Sequence, residues 1–127
     1  MITSLDHVDI LVRDWEAAIE QWKAILGTDR VAINDSMPER GFKIARFDVG
    51  RGQGINIVTP TDERGPWARH LAKHGDGIYL FSLGVDDLDR TAEEMRERGV
   101  RLPPPYGGLR VIHPASAGGA LIHLRQQ

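Results

Sequence analysis

Apolar and polar residues alternate along residues 5–12 (LDHVDILV), putting Leu5, His7, Asp9 and Leu11 on one side and Asp6, Val8, Ile10 and Val12 on the other, as a strand requires. The period then changes. From Trp15 onward Ala18, Ile19, Trp22, Ile25 and Leu26 recur at helical spacing, with Asp14 placed to cap the helix and Gly27 to end it. The same succession returns in residues 80–99 (LFSLGVDDLDRTAEEMRERG), where setting Leu80 against His7 puts Val85 on Val12, Asp87 on Asp14, Leu88 on Trp15 and Met95 on Trp22. Further strand-like runs follow each helix, and the last of them, residues 55–58 (INIV), align with residues 122–125 (IHLR). The pattern therefore predicts βαβββ twice, an α+β chain with a first repeat at about 1–62, a connector at 63–75 and a second repeat at about 76–127, together one domain over 1–127.

Within the strands, alternation assigns faces. Phe42, Ile44 and Arg46 share one side of FKIARFDVG, and Lys43, Ala45 and Phe47 the other. Asn56 and Val58 face away from Ile55 and Ile57, so Asn56 is a polar residue inside an apolar run and needs a hydrogen-bond partner there. In the closing strand Leu121, His123 and Arg125 oppose Ile122 and Leu124. Residues 31–33 (VAI) are a short apolar run before the turn-forming NDSMPERG. The connector predicts a short helix with Pro66 in its first turn and Trp67 and Leu71 inward. On it, His70 and His74 stand four apart, a spacing able to bind a metal, and they read here as a surface pair. The charges of the second long helix read as a solvated face. Three prolines at 103–105 set an extended loop that leads to LRVIHP, with His113 in a structural role before Pro114.

Composition narrows the function. The chain carries a formal charge of −2 and a sequence pI of about 6.2, with no run of Lys and Arg interleaved with aromatics, which argues against a nucleic-acid partner. There is no cysteine, hence no disulfide and no thiolate zinc site. MITSLDHV has no basic stretch leading into an apolar one, and the apolar runs are strand-sized, so neither a signal peptide nor a membrane span is expected and the location is expected to be cytoplasmic.

The two βαβββ units, the DHV strand, INIVTP, HGDGIYLFSLGVDDLD and HPASAGGALIHL together resemble the vicinal oxygen chelate superfamily of glyoxalases, fosfomycin- and bleomycin-resistance proteins and extradiol dioxygenases. Within it, GDGIYLFSLGVDDL and HPASAGGALIHL look most like the methylmalonyl-CoA epimerase branch. The resemblance implies a cupped mixed sheet that holds one divalent first-row ion (Zn, Ni, Co, Mn or Fe), a small-molecule substrate and a homodimer. In that family the metal stabilises an enediolate-like oxyanion while a nearby group moves the proton of the adjacent carbon.

Carried over by position, the resemblance makes His7 the first metal ligand, Asn56 the second, Leu80 the third and His123 the fourth. Asn56 offers a short neutral oxygen where the family has Glu or Gln. Leucine cannot bind a metal. His123 is competent both as a ligand and as a base. Arg46 and Arg110 are expected to border the substrate pocket with Asn56 and Leu80, meeting a carboxylate or phosphate bidentately. Tyr79 is expected in the core, and Asp9 to orient His7.

Three functions remain open on these residues. One is a glyoxalase- or epimerase-type isomerase or lyase, with His123 and His7 catalytic around a degenerate metal site of His7, His123 and Asn56. Another is a metal-free enzyme using the two histidines as acid and base. The third is a metal-free drug- or metabolite-binding protein of the bleomycin-resistance type, in which Leu80 makes the cavity more apolar.

Overall fold

The computed structural model describes residues 1–36, 38–105 and 110–127. Seven strands and three α-helices are formed: β1 (Ile2–Leu11), α1 (Trp15–Leu26), β2 (Ala32–Asn34), β3 (Phe42–Gly50), β4 (Gln53–Pro60), α2 (Pro66–His74), β5 (Gly77–Val85), α3 (Leu88–Glu97), β6 (Arg110–Ile112) and β7 (Ile122–Gln126). Pairing is antiparallel for β2 with β3, β3 with β4 and β6 with β7, and parallel for β5 with β7, so the sheet is mixed and the class α+β. The chain divides into two compact units, one of Asp9–Tyr79 and one of Met1–Val8 with Leu80–Gln127.

In the Asp9–Tyr79 unit, β3 and β4 place Ala45, Phe47 and Ile57 on one face, where Val12 and the α1 residues Trp15, Ala18 and Ile19 bury them. Asp14 caps α1 by accepting from Ala17 N at 3.1 Å, and Gly27 ends it at φ +65°, where a side chain would be strained. The Trp15 indole N–H donates to the Ile57 carbonyl at 2.9 Å, tying the helix to β4. The opposite face carries Leu11 and Val58, covered by Leu71 and Trp67 of α2. α2 begins at Pro66, whose missing N–H costs nothing in a first turn.

In the other unit α3, capped by Asp87 accepting from Arg90 N at 3.1 Å, lies over Val85, Ile112, Ile122 and Leu124. The start of the chain is held there too, with the Met1 amino group donating to Asp86 Oδ1 at 2.8 Å and to Thr91 Oγ1 at 2.7 Å. That anchoring extends β1 back to Ile2, three residues before the alternating run begins. After α3 the described residues form two strands. Where the first repeat has β2, residues 101–105 are irregular, because Pro103, Pro104 and Pro105 have no N–H to give a ladder; residues 106–109 lie outside the described part, as does the start of LRVIHP.

Candidate functional site

The parallel pairing of β5 with β7 sets Ser82 beside His123 and Phe81 beside Ile122, and β6 sets Val111 beside His123. Ile122 and Leu124 are buried under α3, so His123 and Arg125 take the other face of β7. Leu80 precedes Ser82 by two on β5 and is buried at 2 % exposure; Ser82 is buried as well. His7, from β1 of the same unit, lies close enough for its charge to be felt at His123. Burial first, and the His7 charge second, hold the His123 pKa below the ordinary 6.5. His123 is therefore a neutral imidazole with an available lone pair at physiological pH.

His7 is oriented by Asp6. Its Nδ1 lies 2.8 Å from Asp6 Oδ2, with both side chains 12 % exposed. With a carboxylate as acceptor, Nδ1 carries the hydrogen and Nε2 is the nitrogen offered to a ligand. Asp6 is itself held, accepting from Gln127 Nε2 at 3.2 Å and facing Arg125 Nη1 at 3.7 Å. Asp9, also expected to orient His7, accepts from Asn56 Nδ2 at 2.9 Å. Alternation hides the role of Asp6, because it puts this residue on the opposite side from His7. The signal lies in its adjacency in DHV, since a carboxylate next to a histidine reaches Nδ1 around the strand edge.

In the Asp9–Tyr79 unit, Asn56 is buried at 5 % exposure, and because its amide N–H serves Asp9, its Oδ1 has no hydrogen-bond partner among the described residues. Arg46 is its cross-strand neighbour. The Arg46 guanidinium rests against Gly54 and donates from Nη2 to the Gly52 carbonyl at 3.2 Å. It lines a cleft of about 600 Å³ together with Arg30, Val31, Ala32, Asp48 and Asp29.

Arg110 is in the unit that holds His123. It pairs with Leu124 across β6 and β7, on the α3 side, and its Nη2 reaches Asp89 Oδ1 at 3.4 Å. By alternation Arg110 shares a face with Ile112, which is buried beneath α3, whereas Val111 shares one with His123. Tyr79 packs with Leu11, Val58 and Leu71, its ring 4.6 Å from Trp67 and 4.5 Å from His70, and burial raises its pKa. The His70 and His74 rings lie 4.4 Å apart. His113 accepts from Ala115 N at 3.0 Å, capping the 3-10 turn Pro114–Ser116.

A divalent ion fits this donor set poorly. Open catalytic sites for zinc-like ions still need three protein ligands. In the unit that holds them His7 and His123 supply two and Leu80 supplies none, and the side chain of Asn56, in the other unit, is an amide, a weak donor for such ions. Among the described residues no three His, Cys, Asp or Glu side chains are grouped to hold a metal.

Residues 6–111 match the family model described as the glyoxalase/bleomycin resistance protein/dioxygenase superfamily. The chain is similar to the ethylmalonyl-CoA/methylmalonyl-CoA epimerase of Cereibacter sphaeroides, at 30 % identity over 99 % of each chain. Among solved structures it is similar to methylmalonyl-CoA epimerase from Mycobacterium tuberculosis, with a TM-score of 0.77 and 36 % identity over 98 % of this chain and 88 % of that one. A further likeness, with a TM-score of 0.75 and 27 % identity over 100 % of this chain and 96 % of that one, is to a single-residue variant of Streptomyces coelicolor methylmalonyl-CoA epimerase in complex with 2-nitronate-propionyl-CoA.

Proposed function

The chain belongs to the glyoxalase/bleomycin resistance protein/dioxygenase superfamily, and from that premise we propose that it is an epimerase-type enzyme that moves a proton at the carbon beside the carbonyl of a 2-substituted acyl thioester. The observation that supports this reading most is the electrostatically coupled pair of His7 and His123, one oriented by a carboxylate and the other kept neutral by burial. His123 takes the proton from carbon. The electron pair moves to the thioester oxygen, where His7 in its acid form donates from Nε2 while Nδ1–H remains on Asp6. Solvent water then gives a proton to the opposite face of the planar intermediate, while His123 releases its proton to solvent and His7 takes back the one on oxygen, which gives the other epimer and exchanges the substrate α-proton.

The thioester substrate comes from the names of the similar proteins, several of which are methylmalonyl-CoA epimerases. A homodimer and a cytoplasmic location belong to the same proposal; no helix among the described residues is long and apolar enough to cross a membrane. Leu80 favours a second reading, a metal-free binding protein, because a fully apolar side chain stands where the family resemblance calls for a histidine.

One experiment separates the two. Purified protein incubated with methylmalonyl- or ethylmalonyl-CoA in deuterated water is expected to exchange the substrate α-proton, and His123→Ala to abolish the exchange. Thermal stabilisation by these thioesters with no exchange would replace the enzyme reading with the binding one.

A further inference from the structure

The guanidinium of Arg46 is held in place before any ligand arrives. It lies flat on β4 at Gly54, where an added Cβ would come within 2.5 Å of Arg46 Cζ, so glycine is needed for the side chain to rest there. Its hydrogen bond to the Gly52 carbonyl fixes the orientation and, among the described residues, is its one hydrogen bond. The remaining donors are left for the cleft of about 600 Å³, a volume suited to a small-molecule group. Arg30 lines the same cleft, and Val31 and Ala32 give it an apolar wall. Of the two carboxylates present, Asp48 is turned to its own hairpin, accepting from Gly50 N at 3.0 Å, and Asp29 opposes Arg30 in charge.

We propose that this cleft is an anion subsite in which the Arg46 fork, backed by Arg30, grips two oxygens of a carboxylate or phosphoryl group. Guanidinium matches such oxygens bidentately, and a guanidinium already laid against a strand loses little freedom on doing so. The inference goes beyond the epimerase reading, since a binding protein would use the same cleft.

The test is titration of ¹⁵N-labelled protein with inorganic phosphate, malonate and coenzyme A, following the Arg46 Nε–H signal. Saturable shifts are expected, with Arg46→Gln weakening binding by about tenfold or more, as loss of a charged hydrogen bond implies. Gly54→Ala, which keeps both arginines but fills the resting place, should weaken binding as well, and Arg110→Gln should leave it unchanged. Should Arg46→Gln not fold, Arg46→Lys retains the charge, loses the fork and is still expected to bind more weakly. Response to phosphate and coenzyme A identifies a phosphoryl group as the natural ligand, and response to malonate a carboxylate. Absence of any saturable shift, or binding by Arg46→Gln and Gly54→Ala as tight as that of the parent protein, overturns the proposal. Because proton exchange is scored separately, failure here is distinct from failure of the epimerase reading.

Discussion

At the scale of residues, the proposed chemistry rests on three side chains, His123, His7 and Asp6. If His123 is the base, His123→Gln should lower kcat by a hundredfold or more, about what general-base catalysis contributes, with little change in substrate affinity. Asp6→Asn tests positioning. An amide can donate to Nδ1 and reverse the tautomer of His7, so kcat should fall and the acid limb of the pH–rate profile should move, whereas a merely structural role would change stability and leave the profile in place. Leu80 tests the donor set from the other direction. Leu80→His restores the histidine that the resemblance calls for, and divalent-ion affinity, measured by cobalt titration, should rise by at least about tenfold over the parent. An unchanged cobalt affinity would show that His7 and His123 do not converge on one ion.

Elements are legible in the sequence where two independent signals coincide. Helices α1 and α3 each have an aspartate cap and an apolar face, and both form where the periodicity places them. Faces are legible in β3, β4 and β7 because large apolar residues fix the parity, so His123 groups with Arg125 as alternation predicts, while the pairing of Arg46 with Asn56 is set by the β3–β4 register. Arg110 is harder to place because β6 is only three residues long, and its side is set by Ile112 alone. The link between cap and helix predicts an outcome of its own. Asp14→Ala and Asp87→Ala should each cost about 1 kcal/mol in denaturant unfolding, since each removes a side-chain acceptor from an otherwise unpartnered helical N–H. Trp15→Phe should add a comparable loss of about 1 kcal/mol, because it deletes the bond to the Ile57 carbonyl while keeping most of the buried ring.

For the molecule as a whole, the repeat carries the succession of elements but not their grouping, because periodicity records which way a side chain points and not which strand lies beside it. The compact unit that holds both candidate histidines joins Met1–Val8 to Leu80–Gln127, so His7 and His123 share a unit although one opens the chain and the other nearly closes it. That placement makes stability depend on pH. The folded chain resists protonating His123, first through burial and then through His7, and His70 is shifted the same way by burial and by His74. On acidification the unfolded chain therefore takes up these protons before the folded one does. Their effect is nil well above the ordinary value of 6.5 and becomes a growing loss of stability as pH falls below it, ending once the folded histidines are themselves protonated. The melting temperature should consequently be flat from about pH 8 to 7 and decline between about 6.5 and 5, a window above the usual carboxylate range. His123→Gln should remove part of that decline and His70→Gln a smaller part, since His70 is the more exposed of the two and better screened by solvent. A melting temperature that stays level through this window in the parent protein would mean that His123 takes its proton as readily folded as unfolded, and would deprive it of the neutral lone pair on which its role as a base depends.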